Sequence, residues 1–126
     1  MMNRIFYLSA ICLLMLSITV SAQTKKQMVR LAKITVDPAQ LDAYNTALKK
    51  QMATAVAKEP GVLTYYAVAD QKDPSHITIL EIYADVDAYK KHTETAHFKE
   101  YKATVQNMVK SLELVDVDLI GAAKKP

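Results

Sequence analysis

Along this chain the spacing of apolar residues alternates between every second position and roughly every 3.6, and each change of period marks a predicted element. Met28 to Val36 (MVRLAKITV) is rich in β-branched residues and partly alternates, so it predicts a strand. Asp37-Pro38 closes it, with Asp37 suited to cap a helix and Pro38 to its first position. From Ala39 to Glu59 the apolar positions Leu41, Tyr44, Leu48, Met52, Ala55 and Val56 fall on one helical face, and Pro60-Gly61 ends it. Val62 to Asp70 and His76 to Ala84 predict two further strands, joined through the Asp73-Pro74 turn signal as a hairpin. Asp85 and Asp87 then open a second helical region, where acids favour the positive helix end. Its apolar face takes Tyr89, Ala96, Tyr101, Val105, Met108 and Val109. The period breaks near Thr95 to His97, so two helical pieces with a bend are expected. Leu112 to Ile120 predicts a fourth strand, and Gly121 to Pro126 a tail.

The order strand, helix, strand, strand, helix, strand is that of an α+β, ferredoxin-like βαββαβ fold. Its four-stranded antiparallel sheet carries the helices on one face. The strands are apolar on both sides. Ile77, Ile79, Glu81 and Tyr83 alternate with Thr78, Leu80 and Ile82; Leu63, Tyr65, Ala67 and Ala69 alternate with Val62, Thr64, Tyr66 and Val68. One helical layer covers only one side, so a second copy of the sheet is expected over the other, giving a homodimer.

Composition adds the compartment. Residues 1–22 show a short positive start (Asn3, Arg4), an apolar run from Ile5 to Leu16 and small residues at Val20-Ser21-Ala22. This is the pattern of a secretory signal peptide cut between Ala22 and Gln23, leaving 23–126 as the domain. The run is short for a spanning helix, which needs about 20 apolar residues. A periplasmic or secreted protein with no lasting membrane anchor is therefore expected. Cleavage removes Cys12, the single cysteine, and so excludes disulfides and thiolate chemistry. It also removes Arg4, taking the formal charge from +3 to +2. No basic block suggests nucleic acid.

The stretch from Glu81 to Tyr101 (EIYADVDAYKKHTETAHFKEY) concentrates the chemistry, with two of the three histidines. His92 and His97 titrate near neutrality and can move protons. Five residues apart, they do not share one face of a straight helix, and no third ligand stands out, so no metal site is expected. Glu81 sits in an apolar strand, where a charge is costly unless paired. Pairing with Arg30 or Lys33, or a catalytic duty, are both open.

The segments EPGVLTYYAVAD (59–70) and PSHITILEIYADVDAYKKHTETAHFKEY (74–101) resemble the antibiotic biosynthesis monooxygenase domain. The landmarks are Glu59-Pro60-Gly61, the strand end Glu81-Ile82-Tyr83, Ala88, and the spacing of His92 to His97-Phe98. The resemblance implies a dimeric α/β barrel and oxygenation without flavin, heme or metal. It implies an electron-rich phenol or quinol that loses a proton and reacts directly with O2. On that reading His92, His97 and Glu81 are the catalytic candidates, with Glu81 able to orient an imidazole. Tyr65, Tyr66 and Tyr83 would stack on or donate to the substrate, and Arg30 or Lys33 would hold an anionic oxygen. The heme-degrading branch places a histidine where Lys102 stands and a tryptophan at His92. This chain has no Trp, so heme is not expected. A non-oxygenase of the same fold, an isomerase or a small-ligand-binding dimer, is the alternative.

Overall fold

The first strand, β1 (Met28–Val36), ends at Asp37, whose side chain accepts a hydrogen bond from the Ala39 amide and starts a single 3-10 turn at Pro38–Gln40. That turn leads into α1 (Leu41–Lys58). The computed structural model describes residues 25–126; the signal-peptide reading of residues 1–22 falls outside them. The buried side of α1 is Tyr44, Leu48, Gln51 and Ala55, a run of four- and three-residue steps that keeps one face turned to the sheet. Val56, expected on that face, is half exposed.

After Pro60-Gly61 come β2 (Val62–Ala69) and β3 (His76–Tyr83), the expected hairpin. Its connection is built by aspartates. Asp70 accepts from the Lys72 amide, and Asp73 from the Ser75 hydroxyl and amide. The hairpin is not a plain alternation. Register shifts between Val62 and Thr64, so Val62 lies opposite Tyr83 and joins the buried cluster of Ala55 and Tyr83. Strict alternation had put Val62 with Tyr66; the bulge at Leu63 moves it to the helix side.

Asp85 caps α2 (Val86–Glu94) by accepting from the Ala88 amide. The expected bend is present. Thr95 ends α2 and caps α3 (Ala96–Val105), its hydroxyl donating to the His92 carbonyl and accepting from the Phe98 amide. Gly61 brings the start of β2 against α2, where an added Cβ would sit 2.5 Å from that of Ala88. That contact fixes how closely α2 approaches the sheet. Met108 and Val109, expected on the helix, lie beyond it. Here β4 (Val109–Val117) starts three residues earlier than its alternation suggested, because it pairs along β1 as far as Val36.

The sheet order is β2-β3-β1-β4, with every neighbouring pair antiparallel, and the helices lie on one face: the ferredoxin-like α+β arrangement. Between them lies the core of Ala32, Ile34, Val36, Tyr44, Leu48, Ile77, Ile79 and Val105. The opposite face of β2 stays open, with Tyr66 49% and Val68 64% exposed. The tail after β4 reaches across to it and sets the Lys124 ammonium 5.2 Å from the Tyr66 ring. On the way Ile120 is fully exposed. No helix among the described residues is long and apolar enough to cross a membrane.

Candidate active site

Between the sheet and α1/α3 lies a cavity of about 300 Å³. Its wall is mostly aliphatic and aromatic, including Ile34, Leu48, Met52, Ile79 and Phe98. Its rim at β4 is formed by Leu112 and Leu114. The polar groups at it include Glu81, Tyr65, Tyr83, Arg30, Lys102 and Gln51. An apolar pocket of this size with few polar groups is the usual form of a small-molecule site.

Glu81 reaches the cavity because β3 alternates, placing Ile77, Ile79, Glu81 and Tyr83 on the helix side. Its carboxylate accepts from the Tyr83 hydroxyl at 3.1 Å. Burial pushes its pKa upward, opposed by that hydrogen bond and by Arg30 and Lys102. Burial also raises Tyr83 and Tyr65, with the Glu81 charge adding to both. Both phenols are therefore neutral donors at ordinary pH. Arg30 is held by Asp116 at 2.8 Å and lies 4.4 Å from the centre of the Tyr89 ring. It faces Glu81 across β1 and β3 but forms its ion pair with Asp116. Lys33 is three residues on, hence on the opposite face, and exposed. It has no access to the cavity.

The two histidines lie behind the cavity rather than in its wall. His92 is 1% exposed, and its Nε2 lies 2.8 Å from the Tyr65 hydroxyl. Its Nδ1 lies 2.9 Å from Glu59 Oε2, and the same oxygen lies 2.6 Å from His97 Nε2. Burial lowers the His92 pKa against the pull of Glu59. The acid that orients an imidazole is thus Glu59, at the C-cap of α1, and not Glu81. Tyr66, like Lys33, is on the wrong side of the sheet for this cavity; it follows Tyr65 in an alternating strand and points away.

The bend at Thr95 undoes the spacing argument against a shared site. With the helix broken, His92 and His97 converge, and Glu59 is the third group, all three donor atoms within 4.8 Å of one another. Zinc with bonds of ~2.1 Å would hold its donors roughly 3.4 Å apart. The 2.6 and 2.9 Å separations are hydrogen-bond lengths, with one carboxylate oxygen shared by two imidazoles. The arrangement is a hydrogen-bonded triad, one carboxylate oxygen between two imidazoles.

Gln51 was missed. Its Nε2 is buried at the cavity wall without a hydrogen-bond partner among the described residues. A donor left this way costs about 1–3 kcal/mol, and a ligand oxygen would satisfy it. The signal was available: Gln51 is the polar member of the inward series Tyr44, Leu48, Gln51, Ala55. Lys102 was noted only for what it replaces, yet it also lines the cavity.

The family model for antibiotic biosynthesis monooxygenases matches residues 28–104. Among solved structures, a Bacteroides thetaiotaomicron protein assigned to these monooxygenases is 48% identical, with a TM-score of 0.76, over 80% of this chain and 96% of that one. A Lactobacillus acidophilus protein assigned as a monooxygenase is 30% identical at a TM-score of 0.69, over 75% of this chain and 53% of that one. A Caulobacter crescentus protein assigned to the same monooxygenases is 25% identical at 0.68, over 76% and 93%. No curated protein matches the chain.

Proposed function

The chain belongs to the antibiotic biosynthesis monooxygenase family, and from that premise we propose that it is an exported, homodimeric, cofactor-independent monooxygenase of a small aromatic or quinol substrate. The observation that carries this reading is the pairing of an apolar cavity with a single poorly solvated carboxyl, Glu81, at its wall. A carboxylate of raised basicity is suited to take the proton of a bound phenol. The resulting anion is electron-rich, and nearby cationic and amide donors favour it: Arg30, Lys102 and the unpartnered Gln51. The anion supplies the electrons that reduce O2. One oxygen atom forms a bond to the substrate carbon, and the other leaves as water. The protons of that water come from the substrate, one of them by way of the Glu81 carboxyl.

An isomerase moving protons directly on two imidazoles would need both rings at the substrate, and neither ring lines the cavity. The open face of β2 and the exposed Ile120 support a second copy as its cover. Export is tested by sequencing the N-terminus of the protein recovered outside the cytoplasm, which begins at Gln23. The activity is tested by oxygen consumption with a panel of substituted hydroquinones. The wild-type protein consumes oxygen with at least one of them above the buffer rate, and Glu81→Gln does not. Tight binding of the same phenols with no oxygen consumed would support the ligand-binding alternative instead.

A further inference from the structure

One unbroken file of hydrogen bonds leads from the cavity to the outer surface. Glu81 meets Tyr83 at 3.1 Å, Tyr83 meets Tyr65 at 3.0 Å, and Tyr65 meets His92 at 2.8 Å. His92 then meets Glu59 at 2.9 Å and Glu59 meets His97 at 2.6 Å. The inner end lines the cavity. The outer end, His97, is one-fifth exposed and lines a separate groove between α1 and α3. Nothing in the oxygenation as outlined uses His92, Glu59 or His97, and buried polar files of this length are costly unless every member is paired.

We propose that Tyr83, Tyr65, His92, Glu59 and His97 form a proton relay between the cavity and solvent. This extends the oxygenase reading and rests on it for its purpose. Counting hydrogens gives the file a direction. A Glu59 carboxylate accepts from both imidazoles, so His92 carries its proton on Nδ1 and offers a bare Nε2 to the Tyr65 hydroxyl. While Glu81 is ionised, the single Tyr83 hydrogen is donated to Glu81, and the file is interrupted between Tyr83 and Tyr65. Once Glu81 has taken a proton from the substrate, its O–H donates to Tyr83, Tyr83 donates to Tyr65, and Tyr65 to His92. The donors from Glu81 to His92 then all point outward, while the His97 Nε2–H donates back to Glu59. Each hop breaks one O–H or N–H bond and makes the next as far as Glu59, which takes the His92 Nδ1 proton and becomes a carboxyl. The Glu59–His97 pair starts with a hydrogen on both His97 nitrogens and releases the Nδ1 one to solvent, so one proton leaves for each that enters. Run inward, the same hops return a proton to Glu81 when oxygen–oxygen cleavage requires one, without admitting water to the cavity.

The experiment follows the His92 Nδ1 proton by 15N-resolved NMR on the protein expressed from the full sequence, measuring its exchange with water. A ring this buried and without a relay exchanges only when α2 opens. With the relay, exchange in the wild type is much faster than that of the neighbouring α2 amides. His97→Gln, which keeps a donor for Glu59 but cannot pass a proton on, slows it by roughly tenfold or more. Tyr65→Phe, which cuts the file on the cavity side, lowers the oxygen-consumption rate. In His97→Ala, imidazole in the buffer restores exchange; in His92→Ala it restores no turnover. Exchange indifferent to His97→Gln overturns the relay even if oxygen is consumed normally. Fast, His97-dependent exchange in a protein that consumes no oxygen keeps the relay and overturns the oxygenase.

Discussion

Tyr65 and Tyr66 are neighbours in one strand, and the sheet sends them into different worlds. Tyr65 lies among the helices, bonded to Tyr83 and His92, its phenol held neutral by burial. Tyr66 is half exposed on the other face, with Lys124 of the tail near its ring. The residue type is the same, and the difference comes from what covers each face. On the helix side, α1 and the bent α2/α3 pair close over the strands and leave one cavity whose polar groups are few and placed. On the open side the strands are nearly as apolar, yet among the described residues they present no polar network. The helix face carries the cavity with its polar groups, and the open face carries exposed apolar side chains.

That contrast can be broken by substitution on each side. The largest effect is expected from Glu81→Gln, which lowers oxygen consumption by about 10²–10⁴-fold, the usual worth of a positioned base. The same change relieves a buried charge, so thermal unfolding should show stabilisation of about 0.5–2 kcal/mol at neutral pH. Loss of both activity and stability would show Glu81 to be structural. Next is His92→Ala, which removes a ring wedged between Tyr65, Tyr83 and Phe98 and strands Glu59 and Tyr65. Denaturant unfolding should show a loss of about 2–4 kcal/mol.

Acid should act through the same residue. Burial holds His92 below its ordinary 6.5, so as pH falls the unfolded chain binds a proton that the folded one resists. Its contribution is whole above 6.5 and is lost as the pH drops toward the lowered value. Melting curves recorded between pH 7.5 and about pH 5 should fall less steeply in His92→Gln than in the wild type. On the open face, Val68→Lys should leave unfolding free energy within about 0.5 kcal/mol of wild type. It should shift the sedimentation of the protein from two copies to one. The smallest effect is expected for Tyr66→Phe, with stability and oxygen consumption both unchanged; Tyr65→Phe is its active counterpart.

The elements and their order were legible because period and punctuation agree: Asp37-Pro38, Pro60-Gly61, Asp73-Pro74 and Asp85 each sit where an element begins or ends. The break at Thr95 was legible too. Its consequence was not, because a bend changes which side chains meet, and spacing arguments assume a straight helix. Glu59 reads in the sequence as the last residue before a helix stop; only the fold carries the helix bend to it. The bulge at Leu63 has no residue signature and shifts Val62 across the sheet. Gln51 was visible as a polar interruption of an apolar face but needed the cavity to give it meaning.

The most direct test of the oxygenase reading is the fate of labelled oxygen. Under 18O2, with the hydroquinone that supports consumption, the account predicts one labelled atom in the organic product and the other in water. Both are lost in Glu81→Gln. Product oxygen drawn from labelled water, or incorporation that continues undiminished in Glu81→Gln, would contradict it.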